Sequence, residues 1–231
     1  MKLAVFDLDH TLLPIDTGDG WTVFLIEKAG LGEEFLETSR RLNREYHAGT
    51  FSLDEMMSFA MGLLARYPRK TLEAWRDEFV REKVAPHIDP VVLDYLEQWR
   101  ERGCTLVLAT GTHRFVTEPV AKLFGIKHLV AATPETDAAG EFTGRVAGSH
   151  SYQEGKVILL KEKVKELADQ SGEDVTIEAA FSDSINDLPL LEFAEKAGGE
   201  AYAVHPDEAL RAVALERGWH VLRLFPERSS Q

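Results

Sequence analysis

Leu3-Ala4-Val5-Phe6-Asp7-Leu8-Asp9-His10-Thr11 opens the chain with a short apolar run that ends on two carboxylates one residue apart. A run apolar on both alternating faces reads as a strand buried on both sides, which belongs to a parallel sheet covered by helices. Five further β-branched or apolar runs, at 105–109, 129–132, 177–181, 201–204 and 221–224, have the same character. Helical periodicity over 91–99, 115–124 and 157–167 falls between them. Strand and helix alternate, so the expected fold class is α/β, a Rossmann-like core with a parallel sheet flanked by helices.

The stretch 17–85 breaks the alternation, because it holds four successive amphipathic patterns and no convincing strand. Asp16 or Thr17 can cap the first helix, and Gly30-Leu31-Gly32 ends it. Ser52-Leu53-Asp54-Glu55 reads as a capping box for the third, and Pro68 separates that helix from one carrying Trp75 and Phe79. Pro14 and Pro86-His87 bracket the whole. The predicted organisation is a core of residues 1–14 and 87–231 with an α-helical bundle, 15–86, inserted directly after the paired carboxylates. Trp21, Phe24 and Leu25 read as the core of that bundle, with Trp21 close enough to the linker to wall a pocket. Residues 135–146 contain Asp137-Ala138-Ala139-Gly140 and Phe142-Thr143-Gly144, the pattern of a small hairpin. The polar tail 228–231 is expected to fray.

The 231 residues carry a formal charge of −13, with no Lys/Arg run to offset it. A polyanionic partner is disfavoured, so neither nucleic acid nor an anionic membrane is expected. A small anion could still bind where a metal and local donors reverse the field. Cys104, the only cysteine, precludes an intrachain disulfide and precedes a strand, as a core thiol would. No apolar stretch approaches the roughly 20 residues that span a bilayer. The first strand meets Asp7 before a signal-peptide apolar region could form, so a reducing cytoplasm is the expected location. Nothing in the sequence specifies an oligomeric state.

In an open parallel sheet, ligands bind at the carboxyl ends of the strands. Asp7, Thr110 and Asp183 each fall at such an end. Carboxylates at i and i+2 on extended chain point to opposite sides, so they can serve different roles. Asp7 can attack a phosphate monoester and form an aspartyl-phosphate. Asp9 can protonate the leaving oxygen and later deprotonate water. Anionic nucleophile and anionic ester together call for a hard cation, and Mg²⁺ suits an oxygen-only site. Its expected ligands are the Asp7 and Asp183 carboxylates and the Asp9 carbonyl, with Asp187 as a further ligand or an anchor behind them. Thr110 and the Gly111 N–H lie where strand gives way to helix and can hold phosphoryl oxygens. Lys156 can neutralise the nucleophile and the transferring group.

Asp-Leu-Asp-His-Thr at 7–11, Thr-Gly-Thr at 110–112, Glu-Gly-Lys at 154–156 and Ser-Asp-Ser-Ile-Asn-Asp at 182–187 resemble, in order, the four motifs of the haloacid dehalogenase superfamily. A helical insert between the first two motifs, and Asp-x-x-x-Asp in the fourth, is similar to the phosphoserine phosphatase-like branch with its helical cap. The resemblance implies a phosphoric monoester hydrolase, with Asp7 as nucleophile, Asp9 as acid/base, Thr110 and Lys156 on phosphate, and Asp183 with Asp187 at Mg²⁺. It adds Asn186 as a residue that holds the phosphoryl group or orders nearby ligands. Phosphoserine phosphatases use a cap Glu nine residues after the nucleophile and a cap Arg. Here the first position is Asp16, and the Arg region falls on Met57-Ser58-Phe59-Ala60, which has no cation. The implied substrate is a small phosphorylated metabolite. Phosphoserine and histidinol phosphate are candidates, and Asp16 or Asp19 could meet a substrate amine. His113 and Arg114 could also reach the substrate. A phospho-acceptor signalling module is the rival of another class; the inserted helices and Asp9, which would hasten hydrolysis, weigh against it.

Overall fold

The computed structural model describes residues 1–226; the tail expected to fray lies outside the described residues. Six parallel strands form one sheet: β1 (Lys2–Phe6), β2 (Cys104–Ala109), β3 (His128–Val130), β6 (Thr176–Ser182), β7 (Glu200–Val204) and β8 (His220–Leu222). Their order is β3-β2-β1-β6-β7-β8, which puts β1 in the centre and the reversal of strand order between β1 and β6. Side-chain alternation divides β1 between two apolar cores. Ala4 and Phe6 enter the cluster with Trp99, Leu108 and Phe181, while Leu3 and Val5 enter that with Val107, Leu160 and Ala180. Burial on both faces is why the strands read as unbroken apolar runs.

Four helices follow β1: α1 (Thr17–Lys28), α2 (Glu33–His47), α3 (Leu53–Leu64) and α4 (Arg69–Phe79). The chain then continues through a π-type turn, Val80–Val84, and a 3₁₀ turn, Ala85–His87, before α5 (Pro90–Glu101) leads into β2. Asp16 caps α1 by accepting from the Asp19 N–H at 2.7 Å. Half of the capping box on α3 forms: Ser52 accepts from the Glu55 N–H, but the Glu55 carboxylate pairs with Arg41 instead of turning back. Trp21 is buried, with its ring 5.6 Å from Phe79 and 6.0 Å from Phe115. It therefore packs inside the apolar core and does not wall the cavity.

Phe115 belongs to α6 (Arg114–Leu123), a helix of the sheet layer, so insert and sheet share one apolar cluster. Pro119 lies inside α6 and cannot donate to the Phe115 carbonyl four residues back. The Arg76 guanidinium on α4 supplies the missing donor at 3.4 Å and lies over the Phe115 ring, 4.8 Å from its centroid. The expected hairpin is β4 (Thr133–Thr136) paired with β5 (Phe142–Ala147). It grips the insert, since Glu141 accepts from the Arg69 N–H at 2.6 Å and the Gly140 carbonyl accepts from its guanidinium. A Cβ on Gly144, at φ +85, would sit 3.4 Å from the Ala65 methyl on the insert.

Two strands end earlier than their apolar runs. β3 stops at Val130 because the Ala132 N–H and carbonyl are taken by Ser151 and Arg114. β8 stops at Leu222 because the N–H groups of Leu224 and Phe225 donate to His205 Nε2. Beyond the hairpin lie α7 (Glu154–Ser171), α8 (Leu188–Lys196) and α9 (Glu208–Arg217). No helix among the described residues is long and apolar enough to cross a membrane.

Candidate active site

Pairing of Phe6 with Leu108 on one side and Phe181 on the other brings the ends of β1, β2 and β6 level. Asp7, Thr110 and Asp183 each follow one of those ends, around the point where strand order reverses. A cavity of about 690 Å³ opens above them, between the strand ends and the inserted helices.

Asp7 is buried, with its N–H bonded to the Phe181 carbonyl and its Oδ1 accepting from Lys156 Nζ at 2.8 Å. Burial pushes the Asp7 carboxyl up to about 6; Lys156 opposes this and Asp187 reinforces it. Lys156, near the start of α7, is only 3% exposed and also donates to Asp187 Oδ2 at 2.6 Å. Burial works against its charge, but Asp187 and Asp7 outweigh that, and the net shift is upward. The same Asp187 oxygen accepts from Ser182 Oγ at 2.7 Å. Asp187 thus faces Lys156 and Ser182.

Past Asp7 the chain folds back on itself. The N–H groups of Thr11, Leu12 and Leu13 all converge on the Leu8 carbonyl, and His10 takes φ 58 at the turn. The turn sends Asp9 away from Asp7 and toward the insert. Its Oδ1 accepts from the Thr17 N–H at 2.8 Å and the Thr17 hydroxyl at 2.7 Å, and its Oδ2 accepts from the Thr112 hydroxyl at 2.8 Å. Burial, with Asp16 and Asp7 nearby, raises the Asp9 carboxyl to about 8 against the pull of the Thr17 bonds. The Thr17 N–H can only donate, which keeps Oδ1 an acceptor and leaves the proton to Oδ2.

Asp183 accepts from the Thr11 hydroxyl at 3.2 Å, and burial, then Asp7 and Asp187, push it well above the usual carboxylate range. Asp7, Asp183 and Asp187 therefore lie close together, and Lys156 bonds to Asp7 and Asp187. Among the described residues no three acidic, imidazole or thiol groups form a ready-made cage for a metal. The oxygen-only donor set and the uncompensated charge fit a hard cation that retains water and takes a backbone carbonyl.

Of the other expected residues, Gly111, Asn186 and Asp16 line the cavity. Thr110 is fully buried behind its wall, where its hydroxyl accepts from the Thr112 N–H at 3.1 Å. Asp19 and His113 also line it, and His113 is buried, with its pKa lowered to about 4 by burial. Its Nδ1 has no hydrogen-bond partner among the described residues. Arg114 is turned away: its guanidinium donates to the Leu129 carbonyl and the Thr133 hydroxyl, bracing the base of the hairpin. Tyr46 and Tyr152 are participants that no motif marks, Thr17 is marked only as a candidate helix cap, and Ser182 and Thr112 lie inside the quoted Ser-Asp-Ser-Ile-Asn-Asp and Thr-Gly-Thr.

The charge states give a pH dependence. Asp9 and Asp183 hold protons more tightly in the fold than in the unfolded chain, where carboxyls titrate near 4. Groups raised in this way stabilise the fold fully below their unfolded value and lose that contribution as pH rises through the folded one. His113 is shifted downward and gives the opposite slope, but only until unfolded imidazoles are neutral. Thermal denaturation in chelator is therefore expected to show a midpoint that falls from about pH 6.5 to about pH 8.5. A midpoint that rises over that interval contradicts these charge states.

A family model described as haloacid dehalogenase-like hydrolase matches residues 4–192. The chain is 33% identical over 222 residues to a histidinol-phosphatase of Neisseria meningitidis serogroup C, covering 96% of this chain and 98% of that one. It resembles the crystal structure of a Bordetella pertussis Tohama I protein of unknown function with a TM-score of 0.87, at 35% identity over 97% of this chain and 99% of the other. A substrate-bound phosphoserine phosphatase shares the fold with a TM-score of 0.60 at 19% identity, over 97% and 93% of the two chains.

Proposed function

The chain belongs to the haloacid dehalogenase-like hydrolase family, and from that premise we propose that it is a Mg²⁺-dependent phosphatase of small phosphomonoesters that works through phospho-Asp7. The observation that carries the reading is the division of labour between two neighbouring carboxyls. Asp7 is fixed through one oxygen by Lys156 at 2.8 Å, while Asp9 is held by Thr17 and Thr112 at the insert, where burial pushes its carboxyl up to about 8.

In the first half-reaction the second Asp7 oxygen attacks phosphorus, and the bond from phosphorus to the leaving oxygen breaks. Asp9 Oδ2 gives its proton to that oxygen, so the product departs as a neutral alcohol. In the second, Asp9 takes a proton from water, the hydroxide attacks phosphorus, and the Asp7–phosphorus bond breaks to free the carboxylate and inorganic phosphate. Lys156, the Gly111 N–H and Asn186 hold the phosphoryl oxygens, and Thr110 braces the loop through Thr112. Mg²⁺, held by the Asp7 and Asp183 carboxylates and the Asp9 carbonyl, would neutralise the ester and the nucleophile. Asp187 fixes Lys156.

The helices of residues 15–86 serve as the cap that excludes water and selects the leaving group. On the cap side, α3 offers Met56, Met57 and Phe59 to the cavity, and Asp16 and Asp19 stand nearby. Lys156 is the only Lys or Arg lining the cavity among the described residues. Among the described residues no Lys or Arg on that side can form an ion pair with a substrate carboxylate, whereas an amine would meet carboxylates. An amino-alcohol phosphate fits this chemistry, and histidinol phosphate, the substrate named for the Neisseria relative, is preferred to phosphoserine.

Turnover of a generic aryl phosphate is expected with Mg²⁺ and lost in EDTA. Histidinol phosphate should exceed phosphoserine in kcat/KM by at least about tenfold, the worth of one unpaired buried charge or hydrogen bond. Full activity in EDTA would overturn the metal-dependent reading, and a preference for phosphoserine would overturn the leaving-group assignment.

A further inference from the structure

Asn186 lies in the 3₁₀ turn Ile185–Asp187 at the cavity wall. Its side chain is gripped from two directions. The Tyr152 hydroxyl donates to Asn186 Oδ1 at 2.8 Å, and Asn186 Nδ2 donates to the Tyr46 hydroxyl at 3.3 Å. Tyr46 comes from α2 in the insert; Tyr152 comes from the segment that delivers Lys156 to the site. Phe51 closes the group, with its ring 5.1 Å from each tyrosine ring and nearly perpendicular to that of Tyr152.

The hydrogen bonds run in one direction. Gln153 Nε2 donates to the Tyr152 oxygen at 3.4 Å, so the single Tyr152 proton goes to Asn186 Oδ1. That fixes which end of the amide is which. An amide has one carbonyl oxygen and two N–H groups. Tyr152 takes the oxygen, Tyr46 takes one N–H, and the second N–H is left to face an acceptor in the cavity. The reversed amide would turn its oxygen toward a phosphoryl group and repel it.

The Tyr152 segment is itself tied down. Ser151 Oγ donates to the Gly111 carbonyl at 3.3 Å and accepts from the Ala132 N–H, and the Tyr152 N–H donates to His150 Nδ1 at 3.2 Å. Gln153 takes φ 48, a region that residues other than glycine seldom adopt. The next glycine, Gly155, cannot be replaced cheaply, because a Cβ there would lie 2.4 Å from the His150 carbonyl oxygen.

We propose that Tyr46 and Tyr152 are positioning residues that lock the Asn186 amide with an N–H toward the transferring phosphoryl group, so that a cap helix completes the phosphate site. The inference rests on the phosphatase reading above. Since Tyr46 rides on α2, the donor is fully set only while that helix lies against the core.

Tyr46→Phe and Tyr152→Phe, singly and combined with Asn186→Ala, separate this role from a merely structural one. Each Phe variant is expected to lower kcat on an aryl phosphate about tenfold with KM changed less than about twofold, because one oriented hydrogen bond is lost. The factor should be the same for an aryl phosphate and an amino-alcohol phosphate, since the group acted on is common to both. Inhibition by orthovanadate, which mimics the transferring phosphoryl group, should weaken by the same factor. Thermal midpoints should stay within about 2 °C of the parent. In the Asn186→Ala background either Phe substitution should cost less than about twofold, as expected of residues acting through one partner. Full additivity with Asn186→Ala, or unchanged kcat in both single variants, would overturn the clasp while leaving the phosphatase reading intact. A parent enzyme inactive on every phosphate ester would instead remove the reading beneath it.

Discussion

Asp7→Asn is expected to lower turnover by a factor on the order of 10⁴ to 10⁶, the loss seen when a nucleophile is removed from a site whose parts act as a unit. Asn is nearly isosteric, and its amide oxygen can still accept from Lys156, which donates to Asp7 at 2.8 Å. Folding should survive. Burial raises the Asp7 carboxyl to about 6, so its anion is the less favoured form in the fold and its stabilising contribution is gone by pH 8. The amide has no such pH-dependent loss, and the thermal midpoint at pH 8 should be equal to or above that of the parent. Acid-quenched, hydroxylamine-sensitive acyl phosphate should form in the parent and be absent from the variant. Residual turnover above about 1% of the parent would remove Asp7 from the role of nucleophile.

Lys156→Met should damage both stability and catalysis. The lysine sits between two buried carboxylates at 2.8 and 2.6 Å, and its side chain is 4% exposed. Removing one member of a buried ionic cluster leaves the others without compensation and costs about 3–5 kcal/mol. For a chain of this size that is a drop in midpoint on the order of 10 °C. The loss should shrink toward pH 4, where Asp7 is free to protonate, and grow toward pH 8. Adding Asp187→Asn removes one stranded carboxylate and is expected to restore part of the stability at pH 8. It should restore none of the activity, because the phosphoryl group still lacks its cation. Recovery of turnover in the double variant would show that Lys156 serves only to neutralise Asp187.

The contrast between these residues shows what a sequence exposes. Asp7, Thr110 and Asp183 were legible because each ends a strand buried on both faces, and such strands announce themselves as apolar runs. The insert was legible through its caps, and Asp16 does cap α1. Lys156 was legible only by the motifs around it, since nothing local distinguishes it from a solvated lysine. Thr17 carried a signal only as a candidate helix cap, and Tyr46 carried none. Their importance arises where Thr17 meets Asp9 and Tyr46 meets Asn186, contacts that span 8 and 140 residues. Arg114 follows the Thr-Gly-Thr turn and could reach the substrate from there, but carbonyl and hydroxyl acceptors at Leu129 and Thr133 draw its guanidinium to the hairpin. The early ends of β3 and β8 were likewise hidden, because side chains of Ser151 and His205 claim the N–H groups that would have extended the strands.

Pro119 makes the insert hard to transplant. The carbonyl it leaves without a helical donor, at Phe115, is served by Arg76 from the inserted helices. A chimera that exchanged residues 15–86 for another bundle would inherit an orphaned acceptor in α6 and an uncovered Phe115 ring. A graft meant to change substrate preference would therefore have to carry an arginine equivalent to Arg76, or replace Pro119 on the recipient side. Modularity at the level of topology does not extend to the side chains at this seam.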